Sequence, residues 1–109
     1  MSPVDTVQRQ LDAYNALDLD RFVAQYTDDV QVFQPPSTEP FLSGKAAFAA
    51  HYANNRFTRP ELQAELINRM VVGDVVVDQE RISGLDGGVR EAIAVYRVVD
   101  GLISTVWFY

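Results

Sequence analysis

Val4, Val7, Leu11 and Tyr14 recur at intervals of three and four, the spacing that gathers side chains on one face of a helix. Ser2 supplies an N-cap, Pro3 suits the first turn and Asp5 follows three residues after the cap, so a helix is predicted from Pro3. Asp18 is placed to cap a second, short helix with Phe22, Val23 and Tyr26 turned inward. Alternation then takes over in Val30-Gln31-Val32-Phe33-Gln34, a strand that Pro35-Pro36 stops. The segment from Pro35 to Leu42 reads as a loop with some extended character. Ser43 is expected to cap a third helix from Gly44 to about Phe57, with Phe48, His51, Tyr52 and Asn55 along one face.

From Gln63 onward the pattern is β. Gly73-Asp74 and Asp100-Gly101 are two-residue hairpin signals, and Asp86-Gly87-Gly88 is a longer one. Four strands follow, near 63–72, 75–84, 89–99 and 102–109, paired in sequence order. The expected fold class is α+β: a cone-shaped α+β barrel of three N-terminal helices packed on a curved antiparallel sheet, with residues 1–109 as one domain.

Two-residue turns also fix register, and register assigns faces. They predict Asn68 opposite Gln79, Met70 opposite Val77, Tyr96 opposite Thr105 and Ala94 opposite Trp107. Asn68, Gln79, Ala92, Ala94, Tyr96 and Trp107 then share one face, where the alanines leave room for a pocket between sheet and helices. Arg69, Asp78, Glu80, Ile93 and Val95 fall on the other face, apolar in the middle and without a helix to cover it. A second copy of the chain is the simplest cover, so a homodimer through the outer sheet face is expected. A hairpin one residue out of register would instead turn Asp78 and Glu80 into the pocket as candidate bases.

Composition narrows the chemistry. Nine Lys and Arg against fifteen Asp and Glu give a net charge of −6, which argues against nucleic acid or an anionic membrane as partner. The chain has no cysteine, hence neither disulfide nor thiolate chemistry. No apolar run is long enough to span a bilayer. Met1 to Asp5 lacks the regions of a signal peptide, so the cytoplasm is the expected compartment. Metal clusters, Gly-rich phosphate loops and nucleophile elbows are missing from the sequence, so neither cofactor nor metal is expected.

Gln8-Arg9, Asn15-Ala16, Asp18-Leu19-Asp20, Asp28-Asp29, Val32, Pro35, Glu39-Pro40, Ser43-Gly44, Ala46-Ala47 and Tyr52-Ala53-Asn54 resemble the ketosteroid isomerases. These belong to the nuclear transport factor 2-like superfamily, which includes the SnoaL-like polyketide cyclases. The close resemblance runs from residue 8 to about 57, and the meander matches in order and length. It implies the fold but not the reaction. The isomerases' aspartate base corresponds to Gln34, their oxyanion-hole tyrosine to Gln10 and their protonated aspartate to Ala94. With base and both donors replaced, Δ5-3-ketosteroid isomerisation is not expected.

Two readings remain for the pocket. In one it binds a small apolar or carbonyl-containing molecule, with cofactor-free isomerisation, cyclisation or dehydration as the chemistry. His51, the sole histidine, is then the candidate base, at a position where the isomerases it resembles carry a pocket phenylalanine. Tyr14, Gln34, Tyr52, Asn68, Gln79, Tyr96 and Trp107 are the candidate pocket residues. In the other reading the domain is a non-catalytic interaction module whose pocket is filled by Trp107, Tyr96 and Met70. For each polar residue the plain alternative is structural: a helix histidine bonded to a neighbour, or buried tyrosines that found partners.

Overall fold

The computed structural model describes residues 2–109. The first helix, α1 (Pro3–Asn15), begins with the capping box that the sequence predicts: Asp5 N–H donates to Ser2 Oγ, and Ser2 N–H donates to the Asp5 carboxylate. Asp18 caps α2 (Leu19–Val23) by accepting from Arg21 N–H. Tyr26 belongs not to that helix but to β1 (Tyr26–Phe33), which starts earlier than its alternation suggests. A two-residue strand unseen in the sequence, β2 (Leu42–Ser43), pairs with β1. Ser43 is therefore a strand residue facing Gln31, and α3 (Lys45–Asn55) starts from Gly44 at φ +90° with no side-chain cap.

The meander consists of β3 (Gln63–Val72), β4 (Val75–Ser83), β5 (Arg90–Val99) and β6 (Leu102–Phe108). With β1 and β2 it forms one six-stranded sheet in the order β2-β1-β6-β5-β4-β3. The sheet is mixed, because β1 runs parallel to β6, while every other pair is antiparallel. The class is α+β as expected, but α3 follows two strands, so the helices do not form an unbroken N-terminal block. Phe22 is the hub between helices and sheet, with Tyr14, Tyr26, Phe48, Tyr52 and Phe57 ringed around it at 4.9–5.7 Å between centroids. Asn15 fixes the end of α1 to β3, donating to Ala64 C=O at 2.9 Å and accepting from Ala64 N–H at 2.7 Å. No helix among the described residues is long and apolar enough to cross a membrane.

Two local features decide which residues face the helices. The β pattern of the sequence extends β4 through residue 84, but Gly84 sits at φ +85° against the Glu61 backbone, where any Cβ would collide. The strand ends at Ser83 and the connection runs to Val89, so Asp78 pairs with Ala94 and Glu80 with Ala92. In the β5–β6 hairpin Asp100 and Gly101 both take positive φ, as a tight two-residue turn of an Asp-Gly pair requires. Val99 faces Leu102 and Val98 faces Ile103 as expected, but a bulge follows. Arg97 then pairs with Thr105, Tyr96 with Val106 and Ala94 with Phe108.

Each shift is one residue, and in a strand one residue exchanges the faces. Asp78 and Glu80 turn to the helices with Val76, Ala94 and Tyr96; Trp107 turns away from them. The Gly73-Asp74 hairpin keeps its predicted register, so Asn68 does face Gln79, with its amide donating to Gln79 Oε1 at 2.9 Å. That pair lies on the outer face, exchanged along with Val77 and Met70.

Candidate functional site

A cavity of about 400 Å³ opens between the helices and the inner face of the sheet. Leu11, Phe22, Ala64, Ile82, Ala92 and Phe108 make its walls apolar. Ala92 supplies the space expected of a small residue on a curved sheet, and the volume lies in the range of small-molecule sites.

Polar groups converge on this space from both layers. Gln10, buried on α1, joins two tyrosines: Tyr26 O–H donates to Gln10 Oε1 at 3.1 Å, and Gln10 Nε2 donates to the Tyr96 oxygen at 3.2 Å. Tyr96 thus accepts from the protein and keeps its own proton for a partner in the cavity. Tyr14 and Tyr52 also line the cavity, and neither hydroxyl has a hydrogen-bond partner among the described residues. Burial raises all these phenols, Tyr14 to about 12 and Tyr26, Tyr52 and Tyr96 in the same direction, so each is a neutral donor at physiological pH.

The carboxyl of the site is Glu80, 5% exposed on the cavity wall. Its pKa is pushed up to about 7, first by burial and then by the neighbouring Asp78 charge, with Arg69 pulling the other way. When ionised it acts in turn on Tyr14, Tyr26, Tyr52 and Tyr96, and is the largest charge felt by Tyr96. Asp78 is wholly buried behind it. Arg69 Nε and Nη2 donate to the two Asp78 oxygens at 2.7 and 2.9 Å, and Arg69 Nη1 reaches Gln8 Oε1 at 2.8 Å. Asp78 is thereby held as one half of a two-pronged ion pair, while no hydrogen bond to protein ties down Glu80. Two carboxyls, two residues apart on one strand, are set to different tasks by their surroundings.

Of the residues singled out from sequence, Tyr14, Gln34, Tyr52 and Tyr96 are brought together on the cavity wall. Four are not. His51 is half-buried on the flank of α3, edge-on to Phe41 and Tyr52, with Asn55 Nδ2 at 3.4 Å from its Nδ1. Burial and the Arg56 charge lower its pKa, but it does not line the cavity. Asn68 and Gln79 lie on the outer face. Trp107 does too, stacked on Phe33 at 6.2 Å with Arg97 over its ring at 6.0 Å. Glu80 lines the cavity through the one-residue slip of register that the sequence left open as an alternative, while Gln10, Arg56 and Arg90 line it without having been picked out as pocket residues. The signal available was Val76-x-Asp78-x-Glu80-x-Ile82, an alternating set bracketed by apolar residues, which the misplaced end of β4 assigned to the wrong face. Among the described residues no group of three His, Cys, Asp or Glu is placed to hold a metal.

A curled six-stranded sheet closed by helices is the architecture of a nuclear transport factor 2-like domain. The chain belongs to the SnoaL-like domain family, whose model matches residues 7–106. Among solved structures it is similar to an uncharacterized cystatin-fold protein from Novosphingobium aromaticivorans, at 28% identity and TM-score 0.88, covering 100% of this chain and 98% of that one. It also resembles the Δ5-3-ketosteroid isomerase from Mycobacterium sp., at 24% identity and TM-score 0.82 over 100% and 93% of the two chains. A third is RV0760c from Mycobacterium tuberculosis in complex with estradiol-17beta-hemisuccinate, at 21% identity, TM-score 0.82 and coverage of 100% and 94%. At these last two identities the likeness is one of fold.

Proposed function

We propose that the protein is a cofactor-free acid–base enzyme that takes a small, largely apolar, carbonyl-bearing molecule into the cavity, with Glu80 as the group that moves the proton. The observation that carries this reading is a buried carboxyl on the cavity wall, poised near neutrality and without a protein partner. In the carboxylate form Glu80 removes a proton from the carbon next to the carbonyl. The electron pair moves onto the carbonyl oxygen, where a neutral tyrosine hydroxyl stabilises it, and Glu80 returns the proton at the same or another carbon. Tyr96, Tyr14 and Tyr52 are the available donors. His51 is replaced in this role by Glu80. In this reading the chain works as a single domain in the cytoplasm and needs neither metal nor cofactor.

The steroid bound by RV0760c and the steroid chemistry of the mycobacterial isomerase make flat polycyclic ketones and phenols the first compounds to try. The Gln34, Gln10 and Ala94 replacements, which the resemblance to the ketosteroid isomerases implies, set this site apart from theirs. A thermal-shift panel of such compounds is expected to give hits, since a ligand at about 100 times its Kd stabilises by roughly 2.7 kcal/mol. On a compound that is turned over, Glu80→Gln is expected to lower kcat by about 10²–10⁴ while binding is kept, with wild-type kcat/KM rising through a midpoint near pH 7. An active Glu80→Gln protein would remove Glu80 from the chemistry.

The outer sheet face supports a homodimer as part of the same reading. Met70 is 65% and Ile93 42% exposed there, beside Val77, Val95 and the Phe33–Trp107 stack. Sedimentation at micromolar concentration is expected to give twice the chain mass, and Ile93→Arg to give the monomer. A monomeric wild type would reject the dimer.

A further inference from the structure

The chain has nine Lys and Arg. Arg21, Lys45, Arg59, Arg69 and Arg81 sit in ion pairs, Arg9 donates to Gln25, and Arg97 lies over Trp107. The side chains of the remaining two, Arg56 and Arg90, have no hydrogen bond, ion pair or ring contact among the described residues, and both line the cavity. In a chain with six more acids than bases, cations are easily paired, and these two are left open on the same surface.

Their placement has a common focus. Arg56 follows the last residue of α3 and is half-buried; Arg90 opens β5, exposed and opposite the inward-facing Ile82. They approach from opposite layers, and both charges act on the Tyr14 hydroxyl, which is itself without a partner. A cation at the C-terminal end of a helix complements the helix dipole, which accounts for Arg56 but not for Arg90 at the start of a strand. Glu91, the acid beside Arg90 on the wall, is turned to Arg81 at 3.6 Å. Three donor side chains without a protein partner thus border an apolar cavity.

We propose that the molecule bound in the cavity carries an anionic oxygen group, such as a carboxylate, held between Arg56 and Arg90 beside the Tyr14 hydroxyl. This rests on the reading of the cavity as a ligand site and specifies its ligand as bipolar. The apolar body with its reacting carbonyl lies toward Glu80 and Tyr96, and the anion sits toward the arginines. An arginine guanidinium presents planar donors suited to such a group, and the low-dielectric wall strengthens the contact.

The test uses two fluorescent probes of one shape: 8-anilino-1-naphthalenesulfonate and its neutral counterpart N-phenyl-1-naphthylamine. In the wild type both are expected to bind and to compete for one site. Replacing both cations, Arg56→Met with Arg90→Met, is expected to weaken the sulfonate by about tenfold or more, the scale of lost charged hydrogen bonds. The neutral probe should stay within about twofold, which also shows that the variant is folded. Arg97→Met, on the outer face, should change neither. Unchanged sulfonate binding in the double variant, or equal weakening of both probes, would overturn the anion site and leave the cavity reading standing. If neither probe binds the wild type, the cavity reading fails and the anion site with it.

Discussion

Arg69→Met is expected to destabilise the protein by roughly 3–5 kcal/mol, measured by urea unfolding, because it leaves a buried carboxylate without its partner. Asp78 has no exposed surface, and Arg69 supplies both of its side-chain hydrogen bonds at 2.7 and 2.9 Å. The same change also releases Gln8 from Arg69 Nη1 and so loosens α1 from β3. The expected loss is a large share of the total stability of a typical small domain. The pair as a whole need not stabilise the fold, since two desolvated charges roughly offset their mutual attraction. Arg69→Met with Asp78→Leu should therefore recover most of the loss. A single variant costing under about 1 kcal/mol, or a double variant no better than the single, would refute this account. The variant has a functional consequence too: Arg69 is the charge that lowers the Glu80 pKa, so its removal should move the wild-type activity midpoint above about 7.

Glu80→Gln is expected to act in the opposite direction on stability. A carboxyl whose folded pKa is raised holds its proton in the folded state after the unfolded chain has released it. Between the ordinary value of 4.5 and about 7 the folded state binds more protons, so stability falls as pH rises through that window and stays low above it. The shift corresponds to about 3 kcal/mol withheld at pH 8 and absent at pH 4. Glu80→Gln keeps the shape and drops the charge. Its Tm should exceed that of the wild type above pH 7, on the order of 10 °C or more, with the difference vanishing near pH 4. A constant Tm difference across pH 4–8 would show that Glu80 is not held protonated by the fold. Activity lost where stability is gained is the pattern of a group kept for chemistry at the expense of the fold.

Much of this was present in the chain itself. Ser2, Pro3 and Asp5 specify the start of α1, Asp18 that of α2, and the Gly73-Asp74 and Asp100-Gly101 pairs the tight turns, because these are local effects of backbone freedom and short-range hydrogen bonds. The α+β class followed from the same local signals, whereas Gln34 and Tyr52 were placed near the cavity by the resemblance to the ketosteroid isomerases. What tertiary structure alone decided was which side of the sheet the second half of the chain presents. Gly84 and the Glu61 it contacts are 23 positions apart in sequence, and the bulge at Ser104, between the Arg97–Thr105 and Val98–Ile103 pairs, depends on how β6 settles between β5 and β1. Side chains in a strand alternate with period two, so each of these distant contacts, by moving one residue, exchanged Gln79 for Glu80 and Trp107 for Phe108 at the cavity.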